Sequence, residues 1–181
     1  MSSKYMDSPD IANIRKEMEK VLSSKRYTHT LGVAYTAAAL CMAHDVPFEN
    51  AIMAGLLHDC AKSMHGSELV AICEKAHLNV TAVERSNPTS LLHAKAGAYL
   101  AHHKYGITDD DILNAIRYHT TGRPDMSRLE KMIYIADYIE LKHLPRHRGA
   151  QAPNDGAGLN EAVGGLDYYH LSSYDSSRVQ H

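Results

Sequence analysis

Large aromatic rings are scarce in this chain, which has no tryptophan and a single phenylalanine, so its core must rest on aliphatic residues and methionine. Three cysteines, an odd number without ligand-type spacing, argue against a disulfide framework, and we expect them to be reduced core residues. A net charge of −2 offers no basic surplus, which argues against nucleic acid or an anionic membrane as a partner.

Long apolar runs are also missing. No stretch reaches the ~18 apolar residues that a membrane span needs. The first ten residues, MSSKYMDSPD, have no apolar segment of the kind found in secretory signals. We therefore expect a cytoplasmic protein, and a length of 181 residues suits one domain with a substantial core.

What the chain does contain is helical periodicity. Apolar residues recur at spacings of three and four up to about residue 140, and no convincing alternating strand pattern is present. The fold class predicted is therefore all-α. A first helix is expected after the cap signal Ser8-Pro9 and a last helix behind Ser127. The helices between them are expected at about Ser24 to Ala43, Phe48 to Ala61, Leu69 to Ala76, Leu91 to Tyr105 and Ile112 to His119. A loop is expected from Thr81 to Pro88, and capping boxes at Thr108-x-x-Asp111 and Ser127-x-x-Glu130.

The composition changes after Glu140. From Leu141 onward the chain is rich in Gly, Ser, Pro and Asn and has no sustained period. We interpret residues 8–140 as the folded domain and residues 141–181 as a loosely ordered tail.

A His-Asp pair stands in the stretch AGLLHDCAK, from Ala54 to Lys62. Chance supplies about 0.9 such pairs in a chain with this His and Asp content, so the dipeptide alone is weak evidence. Indeed a second pair, His44-Asp45, occurs elsewhere. Only His58-Asp59 follows an apolar run and is followed by a lysine, Lys62, one helical turn later.

Further His and Asp residues interrupt apolar faces of other predicted helices. Singly, each is better explained as an ordinary polar residue, but a buried carboxylate without a partner costs several kcal/mol, and their joint occurrence favours a metal centre. Mixed imidazole and carboxylate ligands suit Fe, Mn, Zn or Co. Six ligands exceed what one catalytic ion usually takes, whereas two ions sharing Asp59 would use them all. The six candidates are His29, His58, Asp59, His93, His119 and Asp137.

Longer strings carry a family resemblance: RYTHTLGV from Arg26, GLLHDCAK from Gly55, LLHAKAGA from Leu91, and AIRYHTTGRPDMSRLEKMIYIADYIE from Ala115. Over about residues 10 to 140 the chain resembles the YqeK family of HD-domain phosphohydrolases. The resemblance implies a helical HD-domain bundle that contains iron and splits diadenosine tetraphosphate symmetrically into two ADP. After Glu140 the family pattern is not followed.

The resemblance also implies roles for individual residues. His29, His58, Asp59 and Asp137 would surround one ion, and His93 and His119 would hold the other, with Asp59 as the bridge. Two ions ~3.5–4 Å apart can activate a bridging water and clamp the attacking and leaving oxygens. Asp59, Lys62 and Arg26 are the expected catalytic residues, and Arg26, Lys62, His93, Thr120, Thr121 and Gly122 are the expected substrate contacts.

Several alternatives stay open. Thr120, Thr121 and Gly122 suit a plain helix-terminating turn nearly as well as a phosphate contact. The protein could instead be a nucleotidase acting on mononucleotides or deoxynucleotides, a non-catalytic nucleotide-binding module, or a helical scaffold with scattered histidines. The expected partner is a small nucleotide, with no nucleic acid or membrane. The apolar stripe of the first helix could serve a homodimer or equally pack inward.

Overall fold

The computed structural model describes residues 11–44 and 46–143. All the regular secondary structure within these residues is helical, which confirms the predicted all-α class. The proposed Ser8-Pro9 cap and almost all of the proposed tail lie outside the described residues. The helices are α1 (Ile11–Val21), α2 (Ser24–His44), α3 (Phe48–Leu57), α4 (Gly66–Lys75), α5 (Ala82–Ser86), α6 (Pro88–His103), α7 (Asp110–Tyr118) and α8 (Arg128–His143).

The longest helix, α2, packs against α3 on one side and α8 on another, while α6 links α4 to α7 and α7 packs against α8. The interior is filled by aliphatic side chains, among them Leu56, Leu57, Ile116 and Ile133, each at most 1% exposed. Burying such side chains contributes roughly 1.5–3 kcal/mol each, and this apolar contact holds the bundle together.

Helix α3 ends at Leu57, four residues earlier than the pattern predicted. The chain then continues in tight turns, in which Cys60 N donates to Leu57 O at 3.1 Å and Lys62 N donates to Asp59 O at 2.9 Å. Bonds over three residues wind the chain more tightly than an α-helix and change the direction of successive side chains. The His-Asp pair therefore lies in these turns and not in a regular helix.

The predicted loop from Thr81 to Pro88 was wrong in part, because it contains α5. The Thr81 hydroxyl accepts from Glu84 N at 3.3 Å while the Glu84 carboxylate accepts from Thr81 N at 2.9 Å, which is a complete capping box. The Asn-Pro signal ends α5 and also places Pro88 at the start of α6, where its missing N–H costs nothing.

Two predicted capping boxes differ from the structure. Helix α7 is capped by Asp109 and not by Thr108, since Oδ1 of Asp109 accepts from the N–H groups of Asp111 and Ile112. Ser127 does cap Glu130 N at 3.1 Å, but the Glu130 carboxylate binds Arg123 instead of the cap backbone.

None of the helices within residues 11–44 and 46–143 is long and apolar enough to cross a membrane.

Candidate metal centre

The six ligand candidates come from five places in the bundle. Helices α2, α6 and α8 carry His29, His93 and Asp137, while the other three residues directly follow the ends of α3 and α7. The four histidines and Asp59 are at most 3% exposed, and the side chain of Asp137 is 18% exposed. The structure thus brings all six together at one buried position between the helices.

One group of three consists of His29, His58 and Asp137, whose ligand atoms all lie within 4.8 Å of one another. Oδ1 of Asp137 is 3.0 Å from Nε2 of His29 and 3.8 Å from Nε2 of His58. Two atoms bound to the same ion at ~2.0–2.2 Å are about 3–3.5 Å apart. The separation between Asp137 and His29 is therefore that of two ligands of one cation, and His58 lies slightly farther from Asp137.

Asp59 belongs to a second group of three with His58 and His119, whose ligand atoms also lie within 4.8 Å of one another, and His93 adjoins this group. Oδ1 of Asp59 is 3.3 Å from Nε2 of His93 and 3.7 Å from Nε2 of His119, and the two imidazole nitrogens are 3.2 Å apart. The other carboxylate oxygen of Asp59, Oδ2, is 3.6 Å from Nε2 of His58. The two oxygens of one carboxylate thus face the two groups of histidines.

Backbone carbonyls orient two of the imidazoles. Nδ1 of His58 donates to Gly55 O and Nδ1 of His119 donates to Ile116 O, both at 2.7 Å. A ring nitrogen that donates carries the proton, so the neutral ring keeps its lone pair on Nε2. Because both Nε2 atoms point to the carboxylates, they are available as ligands.

Several buried polar atoms of this cluster have no hydrogen-bond partner within the described residues: both ring nitrogens of His29, Nε2 of His58 and Oδ1 of Asp59. His29 and Asp137 approach closely but without hydrogen-bond alignment. Buried polar atoms without partners are costly, and two bound cations, one in each group, would satisfy all but one of these atoms. The donor set therefore fits a transition-metal ion.

Comparison with known proteins identifies the family. A family model described as the HD domain matches residues 26–142, and this range contains all six candidate ligands. The chain belongs to the HD domain family.

Two curated relatives of this HD-domain chain are named symmetrical bis(5'-nucleosyl)-tetraphosphatases. The protein of Bacillus subtilis is 42% identical over 123 residues, which cover 68% of this chain and 65% of that protein. The protein of Halalkalibacterium halodurans is 41% identical over 119 residues, which cover 66% of this chain and 63% of that protein. The chain spans slightly less than two thirds of the length of these relatives.

A solved structure shares the fold. The predicted HD superfamily hydrolase involved in NAD metabolism from Clostridium acetobutylicum superimposes with a TM-score of 0.73 at 40% sequence identity. The match covers 88% of this chain and 78% of that one. The helical HD-domain bundle expected from the sequence is therefore confirmed.

The two expected cationic residues border the HD-domain centre. Nη1 of Arg26 lies 2.8 Å from Oδ2 of Asp59, and its side chain is 31% exposed. Nζ of Lys62 lies 3.1 Å from Nε2 of His93 and is only partly buried. Both charges are thus held beside the ligands and within reach of solvent.

The turn after His119 places its residues differently. Thr120 Oγ1 lies 3.1 Å from Nε2 of His119 and 3.3 Å from Nε2 of His93, so this hydroxyl belongs to the centre. Thr121 is exposed and donates to Gly122 O at 3.2 Å. Gly122 has a φ of +63° and donates to Tyr118 O at 2.8 Å, as expected of a turn that ends α7.

Burial and mutual proximity shift the protonation equilibria of these groups. Burial lowers the pKa of His58 to about 4 and that of His93 to about 3. Burial by itself raises the pKa of Asp59 and Asp137, but the neighbouring histidines outweigh it and hold both below the usual range. Neutral imidazoles and ionised carboxylates are the forms that bind metal ions.

Of the second His-Asp pair, Asp45 lies outside the described residues and His44 does not join the cluster. His44 is the last residue of α2, and its carbonyl accepts from Nη1 of Arg128 at 3.1 Å. It belongs to neither group of candidate ligands in the described part of the chain.

Sequence reasoning missed three residues that support the centre. Gly55 lets α3 approach α2 closely, and the ion pair of Arg123 with buried Glu130 holds the turn that carries Thr120. The signal for Gly55 was present, because a glycine inside an apolar helix often marks a close approach. The Arg123–Glu130 pair could not be predicted from the sequence, because the position of Glu130 was already explained by a capping box.

Proposed function

We propose that this protein hydrolyses diadenosine tetraphosphate symmetrically, releasing two ADP. The observation that carries the proposal is the buried cluster of four histidines and two carboxylates with Arg26 and Lys62 beside it. The names of the two relatives support the substrate and the position of cleavage. Because the matched segments cover less than two thirds of these relatives, the activity of the relatives is carried over to this chain as a proposal.

His29, His58 and Asp137 would hold one metal ion, and Asp59, His93 and His119 would hold the second. When bound, such ions supply a water of lowered pKa and positive charge for the oxygens at phosphorus. Asp59 presents one oxygen to each group of histidines and is thus suited to bridge them. The carbonyls of Gly55 and Ile116 fix the imidazole orientation in advance, which limits the reorganisation needed during the reaction.

Arg26 and Lys62 would bind the phosphate chain. A guanidinium offers paired donors that match two phosphate oxygens, and Arg26 is exposed enough to reach them. Lys62 supplies a compact charge beside His93, where it would neutralise the negative charge that develops on the phosphate being released. Thr120 adds a hydroxyl at the same place, between His93 and His119.

We further propose iron as the bound metal, with manganese, cobalt or zinc as alternatives that the same ligands accept.

All three cysteines are free and buried, which suits the cytoplasm as the compartment. A small nucleotide is the proposed partner. The apolar stripe of α1, which was the ground for expecting a homodimer, packs inward through Ile14 and Met18.

The test combines metal quantification with product analysis on a panel of nucleotides. We expect Fe or another transition metal in the purified protein and ADP as the only nucleotide product from diadenosine tetraphosphate. AMP plus ATP would contradict the symmetrical reaction, and preferred hydrolysis of mononucleotides would favour a nucleotidase. A protein without any of these metals would contradict the metal centre.

Two variants connect the activity to the site. Asp59→Ala should lose bound metal and activity together, because the residue contacts both groups of histidines. His44→Ala, in the other His-Asp pair, is the matched control and should keep both. Loss of activity in the control alone would mean that the wrong pair has been chosen.

A further inference from the structure

A cleft of about 470 Å³ lies where the C-terminal ends of α4 and α6 meet α7. None of the six candidate ligands lines it. On α7, Arg117 lies two residues before His119, and residues two apart on a helix face nearly opposite directions. The cleft and the metal centre therefore use different faces of α7. The polar side chains around the cleft are Lys75, Tyr99, His102, His103, Asp110 and Arg117.

Arg117 is the unusual residue of this cleft. Its Nε is buried and has no hydrogen-bond partner within the described residues. Asp110 lies on the same face of α7, two turns earlier, yet the two side chains form no ion pair. A guanidinium nitrogen withdrawn from water without an acceptor is unfavourable, so the arrangement calls for an acceptor supplied from outside the chain.

A second cation and two imidazoles lie near Arg117. Lys75, the last residue of α4, makes no ion pair with the described residues. Nδ1 of His102 donates to Ile107 O at 2.8 Å and Nδ1 of His103 donates to Tyr99 O at 3.0 Å. These bonds leave Nε2 of each neutral ring as an acceptor.

The chemistry of a matching ligand follows from these groups. Two cations, one of them a guanidinium, suit a phosphate group, to which Arg offers a fork of parallel donors. The imidazole acceptors and the Asp110 carboxylate suit the hydroxyl groups of the same molecule. We propose that this cleft is a second, non-catalytic site that binds a small phosphate monoester carrying hydroxyl groups.

Ribose 5-phosphate is a suitable probe, with ribose as the uncharged comparison. The experiment is an NMR titration of zinc-loaded protein, in which each backbone amide reports its own surroundings. We expect saturable shifts at Leu113 and Arg117 with ribose 5-phosphate and no saturable shifts there with ribose. Shifts confined to the metal centre, or shifts at the cleft that do not saturate, would overturn the proposal.

Variants distinguish binding at the cleft from binding elsewhere on the protein. Arg117→Met keeps the apolar stem and should weaken the binding at the cleft about tenfold or more, because a charge-assisted hydrogen bond is lost. Arg15→Met, on the exposed side of α1, removes the same charge elsewhere and should leave the affinity unchanged. Equal affinity in Arg117→Met and the wild type would contradict the site.

A second variant keeps the test decisive if Arg117→Met does not fold, as judged by circular dichroism. Lys75→Met alters an exposed residue at the end of a helix and should fold normally. It should weaken ribose 5-phosphate binding several-fold, and unchanged affinity in this variant would overturn the proposal.

Discussion

A Cβ atom added to Gly55 would lie 2.5 Å from the Cα of Ala34. Helices α2 and α3 thus meet with their backbones in direct contact at the point where the chain runs on from α3 to His58. The carbonyl of Gly55 also receives the hydrogen bond of His58 Nδ1. One glycine therefore sets both the distance between the two helices and the orientation of one ligand.

Gly55→Ala should destabilise the fold and weaken metal binding. The new methyl group meets backbone atoms, which cannot rotate away, so α2 and α3 must separate and carry His29 away from His58. Overpacking of this kind costs about 1–3 kcal/mol. Urea unfolding of the metal-loaded protein and metal quantification after dialysis measure the two effects.

Gly97→Ala is the matched control. A Cβ at this position would be 3.5 Å from Sγ of Cys60 and from Cγ2 of Ile116, which is ordinary van der Waals contact. Alanine also favours a helix more than glycine does, by about 1 kcal/mol. Gly97→Ala should therefore be at least as stable as the wild type, and a loss equal to that of Gly55→Ala would refute the backbone-contact explanation.

Lys62→Met should separate metal binding from turnover. The change removes the ammonium group beside His93 but leaves all six candidate ligands in place. We expect an unchanged metal content and a fall in kcat of about 10²-fold or more, typical of losing one group that stabilises developing charge. Steady-state kinetics with diadenosine tetraphosphate give the answer, with exposed Lys131→Met as the control. If Lys62→Met loses metal as well, the lysine is needed to hold the centre together.

Arg123→Met should lower stability through Glu130. The Glu130 carboxylate is 1% exposed and receives a hydrogen bond from Arg123 Nε at 2.8 Å, so removal of the arginine leaves a buried charge unpaired. Adding Glu130→Gln removes that charge and should restore part of the loss. Denaturant midpoints of the two single variants and the double variant measure this coupling, and strictly additive losses would exclude it.

Glu84→Gln should lower stability near neutral pH by about 1 kcal/mol, because it removes the charge that pairs with Lys95. Burial tends to raise the pKa of Glu84, but Lys95 at 2.6 Å and the Thr81 donors outweigh it and lower the pKa. A lowered pKa in the folded state means that the ionised carboxylate stabilises the fold above its ordinary pKa, and that this contribution disappears as the pH falls through the folded-state pKa. The difference between variant and wild type should therefore shrink on acidification.

Unfolding measured stepwise from pH 7 downward tests this dependence. Glu74→Gln is the control, because Glu74 and its partner Arg85 are both more than half exposed, and such pairs contribute little. A pH-independent difference for Glu84→Gln would show that the carboxylate charge has no part in holding α5.

The helices and the six ligand candidates could be predicted from the sequence because each depends on local information. Apolar spacing defines a helical face, and a His or Asp that interrupts such a face is visible in the chain itself. Where local signals competed, the prediction failed: Thr81 and Glu84 cap a helix inside a segment whose Asn-Pro signal indicated a loop. Helix α3 was predicted too long because the apolar run continues through turns that no longer follow α-helical geometry.

Distances across the bundle depend on tertiary packing. No spacing in the chain shows that Gly55 meets Ala34, that Arg26 reaches Asp59, or that the carboxylate of Glu130 turns away from its cap to bind Arg123. The sequence by itself determined the helical class and the candidate metal ligands. Only the tertiary structure decided how these residues meet, because helices far apart in sequence must pack before their side chains can share one buried position.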